Sequence, residues 1–475
     1  MLIEKVFTSS TKLSDAGVLN LVDCLVLVSV SEIEGDSKKA ISGVGRSMPK
    51  GAGNDNSDTP RRTRNMGDGP RVYSLQKLVE VADYNMNSRS RLSWAKIWGI
   101  MNGHFVEIGC HENAMISMVA IDALRQLSFK FLEKPELADF NFQRLFLQPF
   151  LTIIKNPHTL ADTRELILQC VDNTIRSLSH NIRSGWKIFF TILALSANDA
   201  SEKNRILGLS ILQRLIDDQL DDFCCAVKDV AENNDEKEEK TSEQVAAKER
   251  SRLAEDFLGL CRASLAFVES KRHLPMDLSM QALCHVACYA DKIAEGKALP
   301  PLSAAQVSGN YFFVHLRLPS SMLALSLTPS SLFQTTDPTS SGYTYEGLSA
   351  EDERGMILWR TIFDGLSGGI CSAVTGTSGE VGCFVQRGSV MTLRSILLRY
   401  GHTFTPGQWK AIMNQSILPS MEAAAKNDSS PVMKIISESP HVSNLDFLTE
   451  PLPLPPAEDD EGLLKFASVS KADGR

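Results

Sequence analysis

The stretch Ala120-Ile121-Asp122-Ala123-Leu124-Arg125-Gln126-Leu127-Ser128-Phe129-Lys130-Phe131 sets the fold class. Ala120, Ala123, Leu124, Leu127 and Phe131 follow the i, i+3, i+4, i+7, i+11 spacing, which gathers them into one apolar stripe on a helix of 3.6 residues per turn. Ile167, Cys170, Val171, Thr174 and Leu178 repeat the pattern. The same reading extends over residues 73–220, punctuated by Asn102-Gly103, Cys110-His111-Glu112-Asn113, Lys134-Pro135-Glu136, Asn156-Pro157-His158, Ser184-Gly185 and Asn198-Asp199. Helices of ten to twenty residues joined by short turns, paired about every forty residues, predict an all-α chain. Its expected form is an irregular armadillo/HEAT-like α-solenoid with disordered loops.

Outward from that block the chain divides by composition. Residues 1–34 read as a helical segment and 35–70 as a disordered loop almost without large apolar residues. Residues 71–228 are the helical-repeat region and 229–252 an acidic hinge, in which 245–253 can extend a helix. Helical repeats follow at 253–295 and 351–425, separated by a Pro/Ser/Thr-rich connector at 296–350, and 426–475 is a proline-rich, acidic tail. The apolar run 18–30, broken by Asn20 and Asp23, is expected to be too short to cross a bilayer, which leaves peripheral membrane contact. No basic n-region with a cleavage site opens the chain.

The 475 residues are 43% hydrophobic and 22% charged, a globular composition with room for several domains. With 49 Lys+Arg against 57 Asp+Glu, the net charge of −8 provides no global basic field, so nucleic acid is not an expected partner. The ten cysteines are scattered through apolar helical patterns, as reduced thiols of a cytosolic protein would be.

No constellation carries covalent chemistry convincingly. Gly43-Val44-Gly45 lacks the strand, the Gly-Lys-Ser/Thr and the helix of a phosphate loop. Cys284, His285 and Cys288, with Cys224-Cys225 and Cys261 upstream, have metal-ligand chemistry but no paired knuckles, and read as helix-core thiols. His104 and His402 read as capping or packing groups at helix ends, and Asp217-Asp218 with Asp221-Asp222 as a solvated face. No Gly-x-Ser-x-Gly elbow stands in a strand context. No catalytic residue, cofactor or metal is therefore expected. Basic groups at turns remain: Arg89 with Arg91, Arg183 with Lys187 around Ser184-Gly185-Trp186, and Arg387, Arg394 and Arg399. Such groups attract anionic headgroups by about 1 kcal/mol per charge near a membrane. Arg183, Trp186 and Lys187 are the expected partner or membrane surface. Asn85, Arg125, Gln126 and Gln143 are expected to be buried hydrogen-bonding groups, and Glu107, Glu136 and Arg164 to pair across turns.

Beginning at Tyr73-Ser-Leu-Gln-Lys-Leu-Val-Glu-Val-Ala-Asp-Tyr-Asn-Met, a run of motifs resembles the helical region downstream of the catalytic domain in the BIG/Sec-seven family of large Arf guanine-nucleotide exchange factors. It includes Trp94-Ala-Lys-Ile-Trp98, His104-Phe-Val-Glu-Ile-Gly109, Phe146-Leu-Gln-Pro-Phe150, Arg164-Glu-Leu-Ile-Leu-Gln-Cys170 and Asn181-Ile-Arg-Ser-Gly-Trp-Lys187. Residues 25–33, Trp359-Arg-Thr-Ile-Phe-Asp-Gly-Leu-Ser367 and Tyr400-Gly-His-Thr-Phe404 are similar to further parts of that region. The resemblance is specific over 18–220 and moderate over 253–295 and 355–425. It implies a non-catalytic regulatory scaffold of Golgi vesicle-mediated transport, cytoplasmic and peripheral on trans-Golgi membranes. The implied partners are small GTPases of the Arf/Rab class, an anionic Golgi membrane surface and a second copy of the chain.

One departure bears on catalysis. The family's glutamate finger follows a Phe-Arg-Leu-Pro-Gly-Glu type motif upstream of this region, whereas Arg317-Leu318-Pro319 is followed by Ser320-Ser321 and lies after it. The catalytic domain is thus expected to be missing, the chain being a truncated gene model, a split gene or a stand-alone regulatory protein. Two other readings are a fragment of a full-length exchange factor whose activity lies in an upstream domain, and a generic helical-repeat trafficking adaptor.

Overall fold

Alternation of apolar stripes with short turns produces two stacked layers of helices. The computed structural model describes residues 2–42, 71–134, 136, 141–224, 239–270, 272, 274–296, 350–371 and 380–425, and no strand occurs among them. The helices are α1 (Leu2–Thr8), α2 (Asp15–Ser42), α3 (Tyr73–Met86), α4 (Arg91–Gly109), α5 (Ala114–Leu132), α6 (Phe142–Lys155), α7 (Ala161–Leu178) and α8 (Trp186–Ser196). They continue with α9 (Glu202–Cys224), α10 (Glu239–Val268), α11 (Met276–Ala294), α12 (Ala350–Cys371), α13 (Glu380–Tyr400), α14 (Pro406–Ile412) and α15 (Leu418–Ala425). Each even-numbered helix from α2 to α12 packs on the next even one, each odd-numbered helix from α3 to α11 on the next odd one, and α2–α3 through α12–α13 form the rungs. The result is an all-α solenoid of two-helix units, with α14 and α15 packed on α12.

The stripes quoted above form its core. Ala120, Ala123, Leu124 and Leu127 are buried, as are all five members of the second stripe, and Phe131 stacks on Phe146 with ring centroids 4.3 Å apart. Each Leu, Ile or Val among them contributes about 1.5–3 kcal/mol on burial. Side-chain caps fix several helix starts: the Ser90 hydroxyl accepts from Ser93 N–H (3.2 Å), Asn113 Oδ1 from Met115 N–H (3.0 Å), and Thr405 with Gln408 forms a reciprocal capping box. Packing is close where glycine allows it, since a β-carbon on Gly259 of α10 would stand 2.7 Å from the Phe190 ring of α8.

Several expectations change. The helix assigned to residues 1–34 runs on to Ser42, and α10 already begins at Glu239, inside the stretch read as a hinge. The longer α2 overturns the reading of 18–30 as too short: the window Asp15–Glu34, of mean hydropathy 1.8, is long and apolar enough to cross a membrane by length and composition. Here 28% of that window is buried, with Val18, Val22, Leu25, Ser29 and Ile33 turned inward. Asn102-Gly103 does not break α4, because neighbouring turns pack Met101, His104 and Phe105 into the core and leave Gly103 on the open side. Residues 43–70, the connector before Ala350 and the tail after Ala425 lie outside the described residues, as do Gly43-Val44-Gly45 and Arg317-Leu318-Pro319.

Candidate functional site

The turn entering α8 is held by side chains from the α5–α6 connection and from the start of α6. Glu136, just past the C-terminus of α5, accepts from Ser184 N–H at 3.0 Å, from the Ser184 hydroxyl at 2.8 Å and from Gln143 N–H at 2.9 Å. Gln143, 1% exposed at the start of α6, uses its Oε1 to accept from Arg183 N–H (2.8 Å) and Gly185 N–H (3.3 Å), and its Nε2 donates to the Asn181 carbonyl (2.8 Å). Asn181 Nδ2 donates to the Glu133 carbonyl at 3.1 Å, and Arg144 N–H donates to the Ser184 hydroxyl at 3.2 Å. A side chain at Gly185 would meet Leu147 and Gln143 at 3.0 and 3.2 Å, so only glycine fits there without displacement. These bonds satisfy backbone groups that the turn would otherwise bury unpaired.

The three residues chosen from sequence part company. Trp186 is 4% exposed and belongs to the core: it stacks on Phe190 (5.4 Å, 14°) and meets Phe223 edge-on (5.1 Å, 79°). Its place on an expected surface is corrected, because the first turn of α8 faces α9 and α10 and an indole there is covered. Arg183 and Lys187 are half-buried. The Arg183 guanidinium lies 3.8 Å from Glu249 of α10. Burial first, and then nearby Arg144, lowers the Lys187 ammonium pKa from its ordinary value.

α10 supplies the facing charges. Arg252 bridges Glu249 at 2.6 Å and Asp256 at 2.7 Å. Burial pushes the Asp256 carboxyl up to about 8, against the pull of Arg252, while hydrogen bonding to Arg252 holds Glu249 below its usual value. The turn is therefore a rigid polar corner with two cationic side chains set against a charged helix.

The other sequence-derived groups sort by burial. Asn85 and Gln143 are buried hydrogen-bonding groups; Asn85 donates to Ser10 Oγ and the Val81 carbonyl, both at 2.8 Å. Arg125 is half-buried and Gln126 exposed, and both bond Asp122 on their own helix instead of entering the core. Arg164 pairs with Asp199 at 2.7 Å, Glu136 bonds across the turn as described, and Glu107 is exposed. Arg89 is a clamp: it binds Asp15 at 2.9 Å, the Leu13 carbonyl at 2.6 Å, the Ser10 carbonyl at 3.0 Å and Asn85 Oδ1 at 3.1 Å. Arg399 pairs with Asp291 at 3.1 Å, and Arg91, Arg387 and Arg394 are exposed.

His104 is 3% exposed in the body of α4, not at its end, and neither ring nitrogen has a partner; burial brings its pKa down to about 4. Cys284 and Cys288, expected in a helix core, are exposed on α11, while His285 between them turns inward to Gln213 at 2.6 Å. Among the described residues, no three His, Cys, Asp or Glu side chains stand close enough to hold a metal. Sequence reasoning missed the α10 charges, since Arg252 and Asp256 sat at the edge of what read as an acidic hinge; their i, i+4 spacing was the available signal.

Comparison with known proteins falls on this same region. Residues 130–214, from the end of α5 into α9, match the family model described as Mon2/Sec7/BIG1-like, HDS. The chain is 36% identical over 214 residues to "Brefeldin A-inhibited guanine nucleotide-exchange protein 2" of Arabidopsis thaliana, covering 45% of this chain and 10% of the relative. It is 31% identical over 307 residues to protein 3 of the same series and organism, covering 63% and 14%. To protein 1 of Homo sapiens it is 36% identical over 200 residues, covering 42% and 9%. The chain thus spans roughly a tenth of the length of the curated relatives it matches. The polar corner lies within the matched segment, residues 130–214, which are similar to the HDS region described by that family model.

Proposed function

We propose that this chain is a non-catalytic regulatory scaffold region of a large Arf guanine-nucleotide exchange factor, acting in membrane recruitment and autoregulation during Golgi vesicle-mediated transport. One observation carries the reading: within the HDS-matched segment lies a turn whose backbone is held by the side chains of Glu136 and Gln143, with Arg183 and Lys187 at its edge. Rigid presentation of a few cations suits reversible contact with a GTPase or with anionic headgroups, where each charge near a membrane contributes about 1 kcal/mol. In this reading the partners are an activated small GTPase of the Arf/Rab class and the anionic trans-Golgi surface, with self-association of the scaffold as a further contact. The protein is cytoplasmic and peripheral. In this reading nucleotide exchange, which the relatives' names state of those proteins, belongs to an upstream domain of a longer polypeptide.

The test combines two assays on the purified chain. It should leave the nucleotide-release rate of Arf-class GTPases unchanged, and should be retained by the GTP-loaded form or float with vesicles containing anionic lipid. Accelerated release would overturn the non-catalytic part, and failure to bind either partner would overturn the recruitment part.

A further inference from the structure

Three neighbouring helices of the odd-numbered layer, α9, α11 and α13, share one outward face. On one flank of α11, Gln281 donates to Gln213 of α9 at 2.8 Å and, farther along both helices, Lys292 donates to Asp221 at 2.5 Å. On the other flank, Leu283 lies against Gly388 of α13 and, again farther along, Arg399 donates to Asp291 at 3.1 Å. These contacts set the three helices parallel and in register. Their outward rows, from N-terminal to C-terminal end, are Ile206, Asp217 and Asp221 on α9, Met280, Cys284 and Cys288 on α11, and Arg387, Met391, Arg394 and Leu398 on α13, all exposed. Met391 and Leu398 are 54% and 53% exposed, and neither Arg387 nor Arg394 has an ion-pair partner among the described residues.

Read in opposite directions, the two flanks complement each other. Along α13 the face presents Arg387, Arg394 and Leu398; back along α9 it presents Asp221, Asp217 and Ile206. A two-fold axis through the middle of the α11 row lays this face on the same face of a second copy, with α11 antiparallel to itself. Arg387 then meets Asp221, Arg394 meets Asp217 and Leu398 meets Ile206, each twice, around a centre of thiols and thioethers. Such self-complementarity is what an isologous contact requires, and methionine and cysteine side chains adapt readily to it. The acidic flank selects a second copy over an anionic bilayer, since a bilayer covering α11 would press Asp217, Asp218, Asp221 and Asp222 against its own charge. A face three helices wide, at about 8–10 Å each, and about four turns tall offers about 600 Å² per copy, the lower end for a specific interface. That size suits a reversible pair.

We propose that the outward face of α9, α11 and α13 is a two-fold contact between copies of this chain, in which Arg387 and Arg394 of one copy pair with Asp221 and Asp217 of the other. It gives a surface to the self-association in the function proposed above and rests on that part of it alone. The α8 corner takes no part.

The experiment is sedimentation equilibrium of the full chain up to about 100 µM, where a monomer–dimer equilibrium is expected. Arg394→Asp and Asp217→Arg should each weaken the dimer by about fivefold, because each change acts twice in a symmetric pair. Both side chains are exposed, so the denaturation midpoints should stay where they are. An equimolar mixture of the two variants should dimerise within about twofold of wild type, since every Asp at either position then meets an Arg. Leu398→Glu should weaken the dimer without recovery on mixing with either variant. A chain that remains monomeric overturns both the proposal and the self-association, and leaves GTPase and vesicle binding at Arg183 and Lys187 to be judged separately. A dimer indifferent to these changes, or a mixture that does not recover, overturns the surface and leaves self-association standing.

Discussion

Two arginine-bearing corners of the solenoid look alike in sequence and differ in what the fold does with them. At the first, between α1 and α3, the Arg89 side chain itself is the tie: its guanidinium is consumed by Asp15 and by the Ser10 and Leu13 carbonyls. At the second, before α8, Glu136 and Gln143 hold the backbone, and Arg183 and Lys187 are left at the edge against α10. A cluster of basic residues becomes a candidate surface only when something else supplies the structural bonds. Charge in a linear sequence does not reveal which of the two has happened.

The largest expected effect sharpens the inner side of the second corner. Trp186→Ala removes an indole packed on Phe190 and Phe223 and should cost about 3–5 kcal/mol in a urea titration, whereas an exposed indole would cost far less. Next, Gln143→Leu leaves the Arg183 and Gly185 N–H groups and the Asn181 carbonyl without their acceptor and donor, for about 2–4 kcal/mol. Arg89→Met should cost about 2–3 kcal/mol in the same assay, so that both corners register as structural when their ties are cut.

Acid should act elsewhere, because neither set of ties uses a histidine. Burial lowers His104 and His285 to about 4, so the unfolded chain binds more protons than the folded one between about 4 and 6.5. Stability from these groups is fully present above pH 6.5 and falls as pH drops through 4, by about 3 kcal/mol for each histidine. His104→Leu should remove about half of that acid-side loss, read from denaturation midpoints at pH 7 and pH 4. The smallest expected effect is Arg183→Ala with Lys187→Ala, below about 1 kcal/mol in stability, since the Arg183 pair is long and partly exposed.

Much of the scaffold was legible. The Ala120 to Phe131 stripe and the Ile167 to Leu178 stripe both point to a helical core, and Gln143 and Asn85 read correctly as buried polar groups because each interrupts an apolar face. What did not read was the direction of individual side chains around turns. Trp186, one residue beyond Gly185, turns into the core because α9 and α10 close over it, a tertiary fact with no local signal. Cys284 and Cys288 escaped for the converse reason: they share an i, i+4 row with exposed Met276 and Met280, and an apolar row on a helix can face either way. The length of α2 was also misjudged, since polar residues 35–42 continue the helix past its apolar section.

The central claim is that the α8 corner acts through cations displayed by a rigid turn, without contributing nucleotide exchange. The most direct measurement is binding of the chain to GTP-loaded Arf-class GTPase and to anionic vesicles, wild type against Arg183→Glu with Lys187→Glu, with Arg89→Lys as the matched control at the structural corner. The account predicts at least a tenfold loss of binding to one of these partners for the double variant, and little change in binding for the control, whose denaturation midpoint should fall because lysine cannot replace the Arg89 fork, so binding is compared where all three proteins are folded. Equal binding by wild type and double variant would contradict it.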